Sequence, residues 1–539
     1  MNCLWMARPG SLAMSENRRN LVLAGFMGTG KSAVGRLVAA RLGREFVDID
    51  QLIETRAGRT IPRIFEEEGE AVFRALEAEA CQELSVGQSW VVATGGWALG
   101  LPANRAAVEA GGVVICLGAD VPTLVGRLGG ADGRPMLQDA EWEMRLERLL
   151  AQRRPTYRSF PLQVDTSRLT PDQVADRVIA LWQAFGEVEM PSALPVMAPG
   201  GDYAVLIGEN TLDRLGPLLK ALGGWTCVAL VSDQVVGPLL AERVMAGLKS
   251  GDLRVAHCQM PAGEAHKTLS TVSDLYAQFL AASLDRSGLV LALGGGVVGD
   301  VAGFAAATYM RGVPLVQVPT TLLAMVDASV GGKTGVDLPA GKNLVGAFKQ
   351  PVLVVIDPTT LATLSAVDFR AGLAEVVKAG IIGSPELFEL LEDGQADLAG
   401  IIRRAVAVKI AVVEADPYER GRRAVLNLGH TFAHAFEVLS DYQLRHGEAV
   451  AMGMAAAARL AVDLGRCPPD AARRIVALLE RLGLPTAVPD YDPAAIWLAM
   501  TLDKKKQGQR LRFVLPLDIG KVDVFDDVPR ERVLVALSN

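Results

Sequence analysis

Two small groups of residues have the types and spacing to do chemistry. The first is Gly25-Phe26-Met27-Gly28-Thr29-Gly30-Lys31-Ser32, which fits the pattern GxxxxGK[ST]. Glycines let backbone N–H groups turn inward around phosphate oxygens, and a following helix N-terminus adds positive potential. In that pattern Lys31 reaches the β- and γ-phosphates and Ser32 holds Mg2+. Such a loop specifies nucleotide binding and leaves the acceptor open. The second group uses the chain's 5 histidines unevenly, with His430, His434 and His446 close together. His430 and His434 stand i, i+4 apart and share a helix face, a spacing that can bind a divalent metal. The plainer reading is two satisfied helix histidines. Glu375, polar within the apolar run Ala374-Glu375-Val376-Val377, is a candidate carboxylate ligand. Upstream, Gly294-Gly295-Gly296-Val297-Val298-Gly299-Asp300 follows an apolar run, so it reads either as a pyrophosphate-binding turn or as a plain tight turn.

The elements that must position these residues follow from periodicity. From 20 to 185, short apolar runs alternate with helical patterns. Leu21-Val22-Leu23-Ala24 reads as a buried strand, and Ser32 to Leu42 as a helix with Val34, Leu37, Val38 and Leu42 on one face. Val91-Val92-Ala93 and Val113-Val114-Ile115 read as further strands. This alternation implies a parallel sheet covered by helices on both sides. Between 186 and 202, Pro191, Pro195, Pro199, Gly200 and Gly201 break every period, which reads as a linker. A second alternating block spans 203 to 367, with strands expected at Cys227–Val231, Leu289–Leu293, Leu315–Val318 and Leu353–Ile356. From 368 to 539 helical patterns dominate. Residues 1–19 read as a disordered tail.

Composition excludes several classes. The formal net charge is -7, and the longest basic run is Lys504-Lys505-Lys506, so a nucleic-acid partner is not expected. The 6 cysteines form no CxxC, which suits a reducing compartment. No run reaches the roughly 18 apolar residues a membrane span needs. The expected location is cytoplasmic, with no membrane partner.

Further strings give the first block a family. They are Asp48-Ile49-Asp50, Gly69-Glu70 with Phe73-Arg74, Ala93-Thr94-Gly95-Gly96, Gly133-Arg134-Pro135-Met136-Leu137 and Arg153-Arg154-Pro155-Thr156-Tyr157. In this order they resemble shikimate kinase. The resemblance implies ATP on Gly28, Thr29, Gly30, Lys31, Ser32 and Arg134, with Mg2+ on Ser32 and Asp48. It places shikimate on Asp50, Arg74, Gly95, Gly96 and Arg153, and gives Lys31, Asp50 and Arg134 catalytic roles. One position departs from the family pattern: Trp97 stands where a third glycine usually follows Gly95-Gly96. A kinase domain that only binds nucleotide is therefore the alternative reading.

The second block carries Gly263-Glu264-Ala265-His266-Lys267, Pro319-Thr320-Thr321, Val326-Asp327-Ala328-Ser329-Val330-Gly331-Gly332-Lys333-Thr334, Gly341-Lys342-Asn343-Leu344, Arg423, Asn427, His446-Gly447-Glu448 and Asp503-Lys504-Lys505. Together these resemble 3-dehydroquinate synthase from 203 to the end. The resemblance implies a Rossmann-like NAD-binding subdomain followed by an all-helical metal- and substrate-binding subdomain. It makes Glu375, His430 and His446 the ligands of Zn2+ or Co2+, with His434 a nearby polar group. NAD is expected on Asp233, Gly263, Glu264, Lys267, Gly295, Gly296, Val297, Asp300, Thr320, Thr321, Lys342, Thr360 and Thr363. The keto-acid phosphate is expected on Arg311, Asp327, Lys333, Asn343, Lys378, Lys409, Arg423, Asn427, His434 and Lys505. Of these, Lys333, Lys378, Asn427 and His434 take catalytic roles. Ala262 departs from the pattern, which often has Asp there. The resemblance also implies a homodimer through this half. A polyol dehydrogenase, with a similar layout, is the competing reading; the Gly-Gly-Lys-Thr string and the set of cations argue against it.

Overall fold

The computed structural model describes residues 19–129, 141–394, 397–441, 443–506 and 511–538, without the side chains of 502–506 and 538. Arg134 and the side chain of Lys505 lie outside the described residues, as does the expected tail up to 18. Arg19 is no part of a tail. Its guanidinium donates to the carbonyls of Gly112, Gly186 and Val188.

Among the described residues, sixteen strands build two parallel-type sheets and two hairpins. The first sheet has the order β2-β3-β1-β4-β5, from Phe46–Asp48, Val91–Ala93, Asn20–Gly25, Gly112–Gly118 and Leu162–Asp165. All its pairs are parallel. Both faces are covered, so β1 and β4 read as unbroken apolar runs rather than alternating ones.

The second sheet has the order β6-β7-β14-β11-β10-β8-β9. Its members are Ser192–Val196 (β6), Tyr203–Ile207 (β7), Val228–Asp233 (β8), Val255–Met260 (β9), Leu289–Gly294 (β10), Leu315–Pro319 (β11) and Leu353–Ile356 (β14). Only β6 runs antiparallel to its neighbour. The segment read as a linker therefore contains an edge strand. Pro195 is tolerated there because an edge strand can spare one N–H donor. From β8 the chain moves outward to β9; from β10 it moves the other way to β11. The C-terminal ends of β8 and β10 thus flank a topological switch point, where α/β sheets bind ligands.

Two hairpins were not expected. Lys333–Leu338 (β12) pairs with Gly341–Phe348 (β13), and Phe513–Asp518 (β15) with Lys521–Phe525 (β16). The second corrects the all-helical reading of the C-terminal part. Its short strands fall after a long helical stretch, and Leu515 is fully buried in the core the helices share.

The two halves share one apolar core. The helix Pro171–Phe185 buries Val174, Ala175, Val178, Leu181, Trp182 and Phe185. A capping box from Thr170 and Gln173 starts it. That helix and β5 pack on the helix Leu215–Leu222 of the second half, so residues from both halves fall in one cluster. Polar ties frame the seam. Arg214 Nε donates to Ala184 O at 2.8 Å, and Arg154 pairs with Asp202 at 3.0 Å. Leu218, only 3% exposed, lines a small cavity between Arg158 and Gln163 on one side and Leu353 on the other. Leu218→Ala would leave a void in this shared cluster and is expected to cost roughly 3 kcal/mol. Calorimetry should show one shared transition in the parent chain and a lowered, broadened one in the variant.

Candidate active sites

The larger site is built where three helices of the C-terminal part meet. The helix Ala366–Gly383 is buried along most of its length, and Glu375 faces its apolar interior at 2% exposure. His430 opens the helix His430–Leu439, and His446 opens the helix His446–Asp463. Both rings point at one carboxylate. His430 Nε2 is 3.9 Å and His446 Nε2 3.7 Å from Glu375 Oε1. One ligand atom from each residue falls within 4.8 Å of the others. The opposite ring nitrogens are held: His430 Nδ1 by Leu428 O and His446 Nδ1 by Glu437 Oε1, each at 3.2 Å. This is the orientation that ligating histidines need, with the ligand nitrogen aimed inward and the other nitrogen fixed from outside.

The donor set fits a divalent cation. Both Glu375 oxygens are buried without a hydrogen-bond partner, although Lys378 lies in ion contact on the next turn. Burial alone would raise the Glu375 carboxyl; Lys378, His446 and His430 outweigh it and hold it down to about 2. Burial and Lys378 push His430 well below its ordinary value, toward the neutral ligand form. Burial also opposes charge on His446, but Glu375 and Glu437 raise it to about 9. A cation bound at this cluster would compete with a proton on His446. His434 sits with its ring centroid 5.6 Å from that of His430 and outside the ligand trio. The i, i+4 neighbour thus stands beside the trio, and the ring that joins His430 at Glu375 comes from the next helix.

Beside this cluster stand Asp327, Lys378, Lys409 and Arg423, among the expected substrate residues. Asp327 lies on a single π-helical turn, Ala324–Ala328, a device that re-aims side chains at functional sites. It pairs with Lys409 at 2.5 Å. Burial disfavours both charges; Lys409 and Lys378 nevertheless keep the Asp327 carboxyl below its usual range. Lys333 contacts Glu419, and Lys378 contacts Glu375. Arg423 is 1% exposed and donates to Pro417 O at 2.8 Å, leaving its Nε without a partner. Gly331, at φ +102°, lies so close that any Cβ would strike that guanidinium. Asn427 ends the 3-10 turn just before His430 and is half-buried. Arg311 is exposed in a left-handed turn, away from these contacts.

The dinucleotide residues gather at the switch point. Gly295 caps the helix Gly296–Thr308, which leaves β10 directly and carries Val297 and Asp300 in its first turns. A Cβ at Gly294 would stand 2.6 Å from Val298, so the tight strand-to-helix turn needs glycine. Lys267 bridges Asp300 at 2.7 Å and the Asn343 side chain at 2.6 Å. Burial lifts the Asp300 carboxyl to about 6 against the pull of Lys267. Lys342 and Glu264 face each other at 3.7 Å beside Gly263. Thr320 and Thr321 follow β11. Three of the expected contact residues also make local hydrogen bonds. Asp233 accepts from Val235 N and Val236 N at a helix start, while the Thr360 and Thr363 hydroxyls donate to Asp357 O and Thr360 O. The grouping fits a bound dinucleotide, with backbone N–H groups at a helix N-terminus for the pyrophosphate.

The smaller site caps β1 and β3. The glycine loop leads into the helix Lys31–Leu42, with Gly28 and Gly30 at positive φ. Lys31 Nζ donates to Gly25 O and Phe26 O, which curls the side chain over the loop. The Thr29 hydroxyl donates to Phe26 O at 2.8 Å. Ser32 Oγ donates to Asp48 Oδ2 at 2.7 Å, and Asp48 Oδ1 accepts from Asp50 N. Asp48 therefore caps the helix Ile49–Ala57 and also reaches the expected Mg2+ position. Across the cleft, a Cβ at Gly95 would stand 2.9 Å from both Asp50 Oδ1 and Glu77 Oε1. Arg74 pairs with Glu77 at 2.7 Å and with Glu70 at 3.0 Å. Gly96 faces Arg153, about 4.0 Å from where a Cβ would sit.

Comparison with known proteins identifies both halves. The description "3-dehydroquinate synthase N-terminal" matches residues 257–371, and "3-dehydroquinate synthase C-terminal" matches 372–506. The 3-dehydroquinate synthase of Nostoc punctiforme is 46% identical over 354 residues, covering 64% of this chain and 98% of that protein. The chain belongs to the 3-dehydroquinate synthase family. "Shikimate kinase" matches residues 27–183, so a shikimate kinase domain is fused ahead of the synthase. The synthase of Desulforamulus reducens is 47% identical over 346 residues, covering 62% of this chain and 96% of that protein. Among solved structures, the 2-epi-5-epi-valiolone synthase ValA of Streptomyces hygroscopicus subsp. jinggangensis, with NAD+ and Zn2+ bound, superposes with a TM-score of 0.58 at 31% identity, covering 64% of this chain and 97% of that one. A 2-deoxy-scyllo-inosose synthase with carbaglucose-6-phosphate, NAD+ and Co2+ gives 0.59 at 27%, covering 64% and 99%.

Several residues of the synthase site carry little signal in the sequence. Glu437 orients His446, and its only mark is a position two helical turns after His430. Glu419 meets Lys333 from a loop with no pattern of its own. Asp337 accepts from Asn343 N at 2.6 Å across a hairpin that periodicity does not announce. Glu437→Gln weakens the grip on the His446 ring and is expected to lower metal affinity roughly 10–100-fold, measured by competition with a chelating dye.

The kinase site makes its own prediction. Burial and the nearby Asp48 raise the Asp50 carboxyl to about 6, with Lys31 opposing. A base works only when deprotonated. Kinase kcat/KM should therefore hold above pH 6 and fall roughly tenfold per unit below it. A profile flat down to pH 5 would remove Asp50 from the base role.

Proposed function

We propose that this chain converts 3-deoxy-D-arabino-heptulosonate 7-phosphate to 3-dehydroquinate and phosphate in its synthase half, and phosphorylates shikimate with ATP in its kinase half. The single observation that carries the reading is the convergence of His430 and His446 on Glu375, with Lys378, Asp327 and Lys409 alongside. A metal on Glu375, His430 and His446, with NAD across the ends of β8 and β10, supplies Lewis acidity and reversible hydride acceptance when bound. The chain's own residues do the rest. Lys378 Nζ neutralises oxyanion charge beside the ligand carboxylate. Asp327 keeps Lys409 charged toward the substrate carboxylate or phosphate. Lys333 adds a mobile cation, since its partner Glu419 is also solvent-exposed. His434 can hold or pass a proton next to His430. Asn343 and Lys342 of the hairpin β12–β13, which reach Lys267 and Glu264, would help hold the dinucleotide.

In the kinase half, Lys31 would swing from the loop carbonyls to the phosphates, and Ser32 with Asp48 would hold the magnesium shell. Asp50 takes the proton of the attacking hydroxyl. Arg74 and Arg153 face the acceptor carboxylate. The same reading includes a cytoplasmic location and a homodimer through the synthase half. Among the described residues no helix is long and apolar enough to cross a membrane.

Two assays on purified protein test this. One follows ADP formation from shikimate, ATP and Mg2+; the other follows phosphate release from the keto-acid phosphate with NAD+ and Zn2+. Both products are expected. Phosphate release without shikimate-dependent ADP would reduce the kinase half to a nucleotide-binding module. Net NADH accumulation would replace the synthase reading with a dehydrogenase.

A further inference from the structure

The position that departs from the kinase pattern is built into the acceptor site. Trp97 follows Gly95-Gly96 at the end of β3 and is half-buried. Its indole lies flat against Gly100, where any Cβ would overlap the ring. The short 3-10 turn Ala98–Gly100 therefore holds the ring in one place. Over its face sits the Arg153 guanidinium, 4.8 Å from the ring centroid. Phe26, from the glycine loop, meets the same guanidinium at 5.9 Å. Tyr157 completes the group, with its ring edge-on to both Trp97 and Phe26 at 6.3 Å. The Tyr157 hydroxyl donates to Gly96 O and so ties the helix Trp142–Arg158 to the loop that carries the indole.

The two acceptor arginines are held by different means. Arg74 is fixed by carboxylates, Glu70 and Glu77. Arg153 has no carboxylate within ion-pair distance among the described residues. An arginine side chain has many rotamers, and ordering it opposes binding. An aromatic face attracts a guanidinium without neutralising it. That leaves the guanidinium without a direct ion-pair partner and open to an incoming anion, with the Glu77 carboxylate near enough to feel its charge.

We infer that Trp97 is a positioning residue for the kinase reaction: with Phe26 and Tyr157 it holds Arg153 ready for the acceptor's carboxylate and so sets acceptor affinity. The inference rests on the kinase reading above. It also reverses the simple expectation that an indole in place of glycine obstructs the acceptor.

The test measures kinase KM for shikimate, kcat and KM for ATP in the full chain, with synthase turnover of the same sample as a folding control. Trp97→Leu keeps apolar bulk and loses the π face. It is expected to raise the shikimate KM about tenfold, with kcat and the ATP KM within about twofold. Trp97→Phe retains a face and should restore most of the affinity. In the Arg153→Lys background, Trp97→Leu should add little, because the planar partner is gone. An unchanged KM in Trp97→Leu, or a lower KM in Trp97→Gly, overturns the inference. Should Trp97→Leu fail to fold, Trp97→Phe against Trp97→Gly decides it: a shikimate KM near the parent's in Trp97→Phe and raised in Trp97→Gly supports the inference, and equal or lower values in Trp97→Gly overturn it. A parent chain with no shikimate-dependent ADP formation would instead sink the kinase reading itself.

Discussion

Glu375→Gln abolishes phosphate release by the synthase half and leaves the kinase half untouched. The carboxylate is the only anionic member of the ligand trio, and both its oxygens are buried with no hydrogen-bond partner. A neutral amide removes the charge that balances the cation and leaves Lys378 buried and unpaired. Losing one charged ligand and its balance is expected to lower turnover on the order of 1000-fold or more, several kcal/mol of transition-state stabilisation. Metal content per chain, measured by mass spectrometry on protein purified with added Zn2+, should fall in parallel. Full metal occupancy in the variant would show that Glu375 is no ligand. Normal turnover with reduced occupancy would separate the metal from the chemistry. The kinase assay on the same sample guards against misfolding, because the halves share a core.

Lys31→Met gives the mirror image. Lys31 is the one cation of the glycine loop, and its Nζ is already within 3.0 Å of two loop carbonyls. Bound phosphates would replace those carbonyls. Methionine keeps the length and loses the charge that follows the migrating phosphoryl group. Shikimate-dependent ADP formation is expected to fall about 100–1000-fold, with phosphate release by the synthase unchanged. A drop below tenfold would mean that the loop amides and magnesium carry the transition state alone. A parallel loss of synthase turnover would instead reveal coupling through the shared core, which the packing of Pro171–Phe185 on Leu215–Leu222 allows.

Motifs written in consecutive residues are legible in the chain itself. The glycine loop, the strand ahead of it and the helix after it all stand where periodicity puts them. The same holds for β10 and the glycines at its end. Buried parallel strands declare themselves as apolar runs, and tight phosphate turns declare themselves as glycines. The family resemblance carried the metal trio, because its members are spread over about seventy residues and three helices. Local spacing alone offered His430 with His434, which is a real neighbour, while the ring that converges with His430 on Glu375 is His446. A helix can place only its own i, i+4 residues together; a ligand from the next helix depends on how the two helices pack.

What escaped had weak local signals. β6 was hidden by Pro195, since a proline reads as a breaker until the strand is known to lie on an edge. The β12–β13 and β15–β16 hairpins lack an Asn-Gly or Asp-Gly turn; their Pro-Ala and Ile-Gly corners give little warning. Glu419 and Glu437 carry no local signal, because nothing nearby in the chain shows which cation or ring they face.

The sequence by itself determined the two chemistries, since phosphate loops and ligand side chains need particular residue types at particular positions. Only the tertiary structure decided which groups meet: Glu437 behind His446, Lys409 against Asp327, and Arg153 over Trp97. It also decided that the two halves are joined by a common core rather than a tether. The physical reason is the same in each case. Residue type sets what a group can do, but contacts between distant segments arise from burying apolar faces that local patterns do not pair.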